Sequence, residues 1–220
     1  MSLIQLDKIT FSYSPEEEPV LRDLSIAVEA GESLVVRGDN GSGKTTLFRI
    51  LNGLSFPQRG SYRFDGVEIT AAWLKKQANA KAFHKRMGYL FQNPDVMLFN
   101  ATVFDEIAFG PRQLGLPDPE TETRVRDCMA LFGLEPLAEK APYHLSGGQK
   151  KKVALAAVLA LNPEVLILDE PLAGLDRKTR DQLLALLSEL HGAGKTVLAA
   201  THDDVLRDAL QARTLELAEY

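Results

Sequence analysis

The chain has 220 residues and a mass of 24.2 kDa, enough for one domain with a sizeable core and too short for several. With 45% hydrophobic and 25% charged residues it is neither a disordered chain nor a collagen-like one. A net charge of −5 disfavours polyanionic partners such as DNA, and a single cysteine, Cys128, excludes an intrachain disulfide framework and fits a reducing compartment.

The N-terminus, Met1 to Asp7, lacks a basic start followed by a long apolar run, so no export signal is expected. The alternation of apolar and polar positions over the first thirty residues, around the turn-forming Ser14-Pro15, predicts short antiparallel strands such as Val20 to Val28. Ser33 to Arg37 is an apolar run of buried-strand length. A glycine-rich turn follows, and Leu47, Ile50, Leu51 and Leu54 then repeat at helical spacing, predicting a helix from Lys44 to Asn52 that stops at Gly53. Strand, glycine turn and helix open a parallel α/β sheet.

Residues 93–161 differ in character. Thr102 to Asp105 predicts a capping box for a short helix that Gly110-Pro111 would end. Pro117 and Pro119 mark a loop before a helix from Glu120 to Phe132, and a further helix starts near Gly148 and ends before Pro163. The block is expected to form a helical lobe inserted in the sheet domain. The α/β pattern then resumes with a strand at Val165 to Leu168, a helix from Lys178 to His191 closed by Gly192, and a strand at Thr196 to Ala200. The most apolar stretch, 153–168, is broken by Asn162, Pro163 and Glu164. It therefore reads as helix and strand rather than the roughly 20-residue span of a bilayer. No repeat or low-complexity segment is visible, and Glu16 to Glu18 reads as a solvated turn.

Two motifs carry the chemistry. Gly38-Asp39-Asn40-Gly41-Ser42-Gly43-Lys44-Thr45-Thr46 fits the phosphate-binding pattern G-x-x-x-x-G-K-[ST], set between a predicted strand and helix. Its glycines let successive N–H groups point into one concavity at a helix N-terminus. Lys44 supplies a mobile cation for the β- and γ-phosphates, and the Thr45 hydroxyl can ligate Mg²⁺. The second motif, Val165-Leu166-Ile167-Leu168-Asp169-Glu170, ends a buried strand on two carboxylates. Asp169 is placed to hold Mg²⁺, directly or through water, and Glu170 to polarise an attacking water.

A third motif, Leu145-Ser146-Gly147-Gly148-Gln149, lies 23 residues ahead of Asp169 at a predicted helix start. Together the three motifs resemble those of the ATP-binding cassette (ABC) proteins, over essentially the whole chain. The resemblance implies an α/β fold of the P-loop NTPase class, with a mostly parallel core sheet, an N-terminal antiparallel β subdomain and an inserted helical subdomain. It makes residues 1–220 one ABC transporter ATP-binding domain, with ATP and Mg²⁺ as cofactors. Ser146, Gly147, Gly148 and Gln149 would then close on the ATP of an opposite subunit in a head-to-tail dimer, a homodimer or a pair with a related paralogue.

Other positions match the family one by one. Tyr13 matches the aromatic that stacks on adenine, with Phe11 the competing choice. Gln92 matches the glutamine that touches Mg²⁺ and water and links the core to the helical lobe. Asp176 matches the loop crossing the dimer interface, although it could simply cap the next helix. His202 matches the histidine that contacts the γ-phosphate and orients Glu170. Lysine stands where an arginine is expected among Lys150, Lys151 and Lys152, a departure expected to alter contacts to the helical lobe. The tail from His202 to Tyr220 is short and is expected to leave no room for a regulatory domain.

The stretch Tyr89 to Asp95, then Leu98-Phe99 and Thr102 to Pro111, resembles the ATPase subunits of energy-coupling-factor transporters, especially the cobalt and nickel uptake type. That implies integral membrane transport subunits as partners, import of a transition-metal ion or a vitamin, and a peripheral place on the cytoplasmic face of the cell membrane. Met97, Leu98 and Phe99 either receive a partner's helix or belong to the core of the lobe. The rival is a cassette ATPase acting on DNA or ribosomes. Against it, the 102 residues from Lys44 to Ser146 hold no sustained heptads and one cysteine, and only one cassette is present. No nucleic-acid partner is expected.

Overall fold

The computed structural model describes residues 2–217; Met1 and the end of the tail at Tyr220 lie outside the described residues. Nine strands form two sheets among the described residues. The first is antiparallel, in the order β2(Leu21–Val28), β1(Ile4–Phe11), β4(Arg59–Phe64), β5(Val67–Glu68). The second is parallel throughout, in the order β6(Met87–Leu90), β7(Val165–Asp169), β8(Thr196–Ala200), β3(Ser33–Arg37), β9(Arg213–Glu216).

The inner strands of the parallel sheet have apolar residues on both faces. Val165 and Ile167 of β7 point into one core with Leu34, Val36 and the helix α1(Lys44–Leu51). Leu166 and Leu168 point into a second core with helical residues. A near-continuous apolar run is what a strand covered on both sides requires. The short helices α2(Ala71–Leu74) and α3(Gln77–Arg86) lead into β6.

Between β6 and β7 the described chain is helical: α4(Val103–Leu114), α5(Asp118–Phe132) and α6(Gly147–Ala160), with 3₁₀ turns between them. Thr102 caps α4, its hydroxyl accepting the Asp105 N–H. The helix passes through Gly110 and Pro111, where the sequence predicts its end, and stops at Gly115 with φ +82°. Proline removes one intrahelical bond, but Pro111 is buried and Gly110 lets Leu161 approach closely enough that a Cβ there would lie 2.4 Å from its Cδ2. Tertiary packing outweighs the lost bond. Similarly, α7(Arg177–Gly192) includes Gly192, and the left-handed glycine after it is Gly194. α8(Asp204–Leu210) completes the layer beside β3.

No helix among the described residues is long and apolar enough to cross a membrane.

Candidate functional site

Parallel strands place all their carboxyl ends at one edge of a sheet, and ligands of such folds bind there. Four adjacent strands converge in this way. The phosphate loop follows β3, His202 lies just beyond β8, Asp169 ends β7 with Glu170 next to it, and Gln92 lies just beyond β6. The cleft they share has a volume of about 510 Å³ and is lined by Lys44, Thr45, Gln92, Asp169, Glu170 and His202, among others.

The loop is shaped by backbone that L side chains avoid. Gly43 has φ +94°, and a Cβ there would lie 2.8 Å from Leu21 Cδ2. At Gly38, φ +144°, it would lie 2.6 Å from the Leu217 carbonyl oxygen. Gly43 also caps α1 without a side-chain hydrogen bond, so no side chain occupies the first-turn N–H groups that an anion would use. Lys44 Nζ donates to the Gly38 and Asp39 carbonyls at 2.6 and 2.8 Å, folding its ammonium over the loop. Asn40, Gly41 and Thr46 line the cleft; Ser42 is buried, its hydroxyl without a partner among the described residues.

Thr45 Oγ1 donates to Asp169 Oδ2 at 2.8 Å. Together with Gln92 these are hard oxygen donors of the kind Mg²⁺ takes. No cluster of three or more His, Cys, Asp or Glu side chains accompanies them among the described residues. Such a sparse set fits a cation that completes its shell with phosphate oxygens and water.

Burial raises the pKa of the Asp169 carboxyl, against the lowering hydrogen bond from Thr45. Burial likewise raises that of Glu170, with His202 opposing and Asp169 reinforcing the shift. The Glu170 backbone has φ +47°, a left-handed conformation costly for a residue with a Cβ. Its carboxylate Oε1 lies 3.8 Å from Nε2 of the exposed His202.

The two aromatic candidates differ in exposure and position. Phe11 is 6% exposed and belongs to the first core, whereas Tyr13 is 57% exposed and lines the cleft beside Val20. The Tyr13 hydroxyl shares a 2.8 Å hydrogen bond with Thr46 Oγ1, and Phe11 supports its ring edge-on at 5.1 Å. Val20 is a cleft residue that sequence reasoning missed, because an isolated valine carries no signal.

Ser146 to Gln149 lie outside this cleft. They form a reciprocal capping box on α6: Ser146 Oγ accepts the Gln149 N–H and Gln149 Oε1 accepts the Ser146 N–H. Asp176 caps α7 through Thr179 and pairs with Lys152 Nζ at 3.2 Å. The hydrogen bonds from Thr179, with Lys152 adding, lower its pKa to about 2.

The lysines after the signature do not serve the helical lobe alone. Lys150 pairs with Asp95 at 2.6 Å, Lys151 donates to the Glu170 carbonyl at 3.0 Å, and Lys152 reaches Asp176. These contacts tie α6 to the turn at Asp95 within the lobe and, outside it, to Glu170 and Asp176. Lys151 was a missed residue, and its signal is position, because it falls in register with the buried Leu155 and Val158 on α6.

Of the three apolar residues after Gln92, Met97 and Leu98 pack against the second core and Phe99 alone is exposed, at 67%. It stacks edge-on against the exposed Phe109 at 4.9 Å, and Val96, three residues before Phe99, is also exposed. The buried Glu106 carboxylate accepts the N–H groups of Phe99 and Asn100 and fixes this loop.

Comparison with known proteins agrees with this architecture. The family model described as ABC transporter matches residues 21–173. The nickel import ATP-binding protein LarO of Lactiplantibacillus plantarum is 48% identical over 201 residues, 91% of this chain and 83% of that protein. The post-hydrolysis dimer of the ATP-binding cassette MJ0796, bound to ADP and Pi, superposes with a TM-score of 0.88 at 28% identity, covering 97% of this chain and 94% of that one. The cbiO1 protein of Clostridium perfringens, part of the ABC transporter complex cbiONQ, matches with a TM-score of 0.77 and 35% identity over 94% and 82% of the two chains. The chain therefore belongs to the ABC transporter family, as an ATP-binding subunit whose ATP hydrolysis is coupled to transport.

Proposed function

We propose that the chain is the ATPase of an energy-coupling-factor type importer for a transition-metal ion such as nickel or cobalt, and that its cleft hydrolyses ATP with Mg²⁺. The observation that carries the site reading is the convergence of Lys44, the hydrogen-bonded pair Thr45 and Asp169, Glu170 and His202 at one edge of the parallel sheet. Tyr13 offers its exposed ring to the adenine. The loop from Gly38 to Thr46 cradles the phosphates, and Lys44 exchanges its two carbonyl contacts for phosphate oxygens. Thr45, Asp169 and Gln92 would hold the cation, which when bound offsets negative charge on the phosphates.

Glu170 takes a proton from water as the water oxygen bonds to the γ-phosphorus and the bond to the ADP oxygen breaks. Its raised pKa makes it a better proton acceptor than an ordinary surface carboxylate. His202, 3.8 Å away, orients it and reaches the γ-phosphate.

In the signature Ser146 and Gly147 are exposed and Gly148 and Gln149 half-buried, all away from their own chain's cleft, which supports their use on the nucleotide of a second subunit. The exposed Val96, Phe99 and Phe109 offer an apolar face to an integral membrane subunit, which would hold the chain at the cytoplasmic face of the membrane. Names of relatives support the cargo class: LarO is a nickel import protein and cbiO1 part of a transporter complex.

The test is affinity purification of the tagged chain from native membranes, with identification of co-purifying proteins and ATP-dependent uptake of radioactive nickel and cobalt into vesicles. Small integral membrane partners and metal uptake are expected. Recovery of chromatin or ribosomes instead would overturn the transport reading.

A further inference from the structure

The three lysines after the signature differ in one respect. Lys150 and Lys152 end on the carboxylates of Asp95 and Asp176, both exposed, whereas Lys151 is 3% exposed. An ammonium loses its hydration when buried and is retained only where something in the interior uses it. The neighbours of Lys151 on its own helix, Val153, Ala154 and Leu155, are buried and offer it no acceptor. Among the described residues its ammonium makes one hydrogen bond, which goes across the fold to the main-chain oxygen of Glu170 at 3.0 Å.

Glu170 is a residue whose backbone needs holding. Its φ of +47° is unfavourable for any side chain bearing a Cβ, and such a conformation persists only where its surroundings over-determine it. Its N–H donates to Ala200 O on β8 at 2.9 Å, and its carbonyl accepts from Ala173 N–H at 3.3 Å and from Lys151. Of these three restraints, only the lysine comes from α6. Lys151 lies five residues beyond Ser146, about 7.5 Å along the helix axis.

We propose that Lys151 is a positioning residue for ATP hydrolysis, its buried ammonium clamping the Glu170 carbonyl and so tying the helix capped by the signature to the direction of the Glu170 carboxylate. The inference rests on Glu170 acting as the base. A displacement of α6 when Ser146 meets a partner's nucleotide would reach the carboxylate through this contact, without passing through the phosphate loop.

The experiment compares Lys151→Met, which removes donor and charge at similar length, with Lys151→Arg, which keeps both. Steady-state ATPase rates, equilibrium binding of a fluorescent ATP analogue and thermal unfolding are measured for each. Lys151→Met is expected to lower kcat about tenfold or more, the effect of losing a charge-assisted hydrogen bond, with KM and nucleotide affinity within about threefold. Lys151→Arg is expected to restore most of the rate. On a Glu170→Gln background, Lys151→Met should lower the residual rate no further, since the carboxylate it aims is already gone.

Parental kcat in Lys151→Met would overturn the proposal, as would the full loss recurring on the Glu170→Gln background. If the methionine variant does not fold, Lys151→Gln, polar but one bond shorter, takes its place with the same expected loss and the same refutation. Parental turnover in Glu170→Gln would instead remove the base reading itself. An inactive Glu170→Gln beside a fully active Lys151→Met would remove the clamp alone.

Discussion

Replacing Glu170 by glutamine changes one oxygen for an amide nitrogen and leaves every main-chain contact of that residue in place. The N–H to Ala200, the carbonyl to Ala173 and the clamp from Lys151 involve no side-chain atom of Glu170, so the strained turn survives the substitution. Lys44, Thr45 and Asp169 are likewise untouched, and nucleotide binding should persist. What disappears is the proton acceptor. Positioned general bases are worth about 10²–10⁴ in rate, which corresponds to about 3–5 kcal/mol of barrier. The amide also removes a negative charge beside Asp169, whose proximity helps to raise the pKa of Glu170, so ATP phosphates meet less repulsion. Glu170→Gln is therefore expected to hydrolyse ATP at least about a hundredfold more slowly while binding it at least as tightly, and to accumulate as an ATP-bound dimer. Single-turnover hydrolysis, equilibrium nucleotide binding and size-exclusion chromatography with ATP and Mg²⁺ report the three quantities. Turnover at the parental rate would refute Glu170 as the base, however the other two came out.

Lys44→Ala removes the ammonium that now spans the Gly38 and Asp39 carbonyls, and it is expected to abolish measurable ATP binding in isothermal titration; unchanged affinity would undo the phosphate-loop reading. Mixing a Ser146 variant with a Lys44 variant should yield dimers with one intact composite site, seen as partial ATP-dependent association by analytical ultracentrifugation, and its absence would count against the head-to-tail arrangement. Asp176 has a folded pKa of about 2, below the ordinary aspartate value, so its cap contribution is present above the unfolded pKa and is lost as pH falls through about 2. The thermal stability of Asp176→Asn is thus expected to fall below the parent's at neutral pH and to converge with it only as pH falls through about 2; a gap that stays constant with pH would contradict the linkage.

How far the sequence carried the structure depended on the kind of force involved. The strand at 33–37, the glycine turn and the helix from Lys44 were legible because backbone requirements are local: only glycine takes φ +94° at Gly43 without strain. The one-sided Thr102 cap of α4, which lacks the reciprocal bond of the expected box, and the full capping box of α6 have the same local character. Helix ends governed by packing were not legible. Gly110-Pro111 looks like a terminus until Leu161 is seen filling the space that Gly110 leaves, and Gly192 looks like a stop that Gly194 actually makes. The site was legible in composition, through Lys44, Thr45, Asp169, Glu170 and His202, but the choice between Phe11 and Tyr13 was not. Two aromatics two residues apart look alike in sequence, whereas in the fold Phe11 ends β1 buried and Tyr13, just beyond the strand, is exposed. Lys151 stayed hidden because its acceptor is a main-chain oxygen, an atom that every residue possesses.

The capping box at Ser146 has a consequence for which side chain can stand there. As a helix cap, serine, aspartate and asparagine are nearly interchangeable, because capping asks only for an oxygen that accepts an N–H. A hydroxyl has one proton to give as well as lone pairs to receive. Ser146 can therefore keep the Gln149 N–H on its oxygen while its own proton points outward to an anion. Aspartate would preserve the helix and repel the phosphate, and alanine would lose both. Helix formation leaves this choice of residue open, and the outward proton decides it.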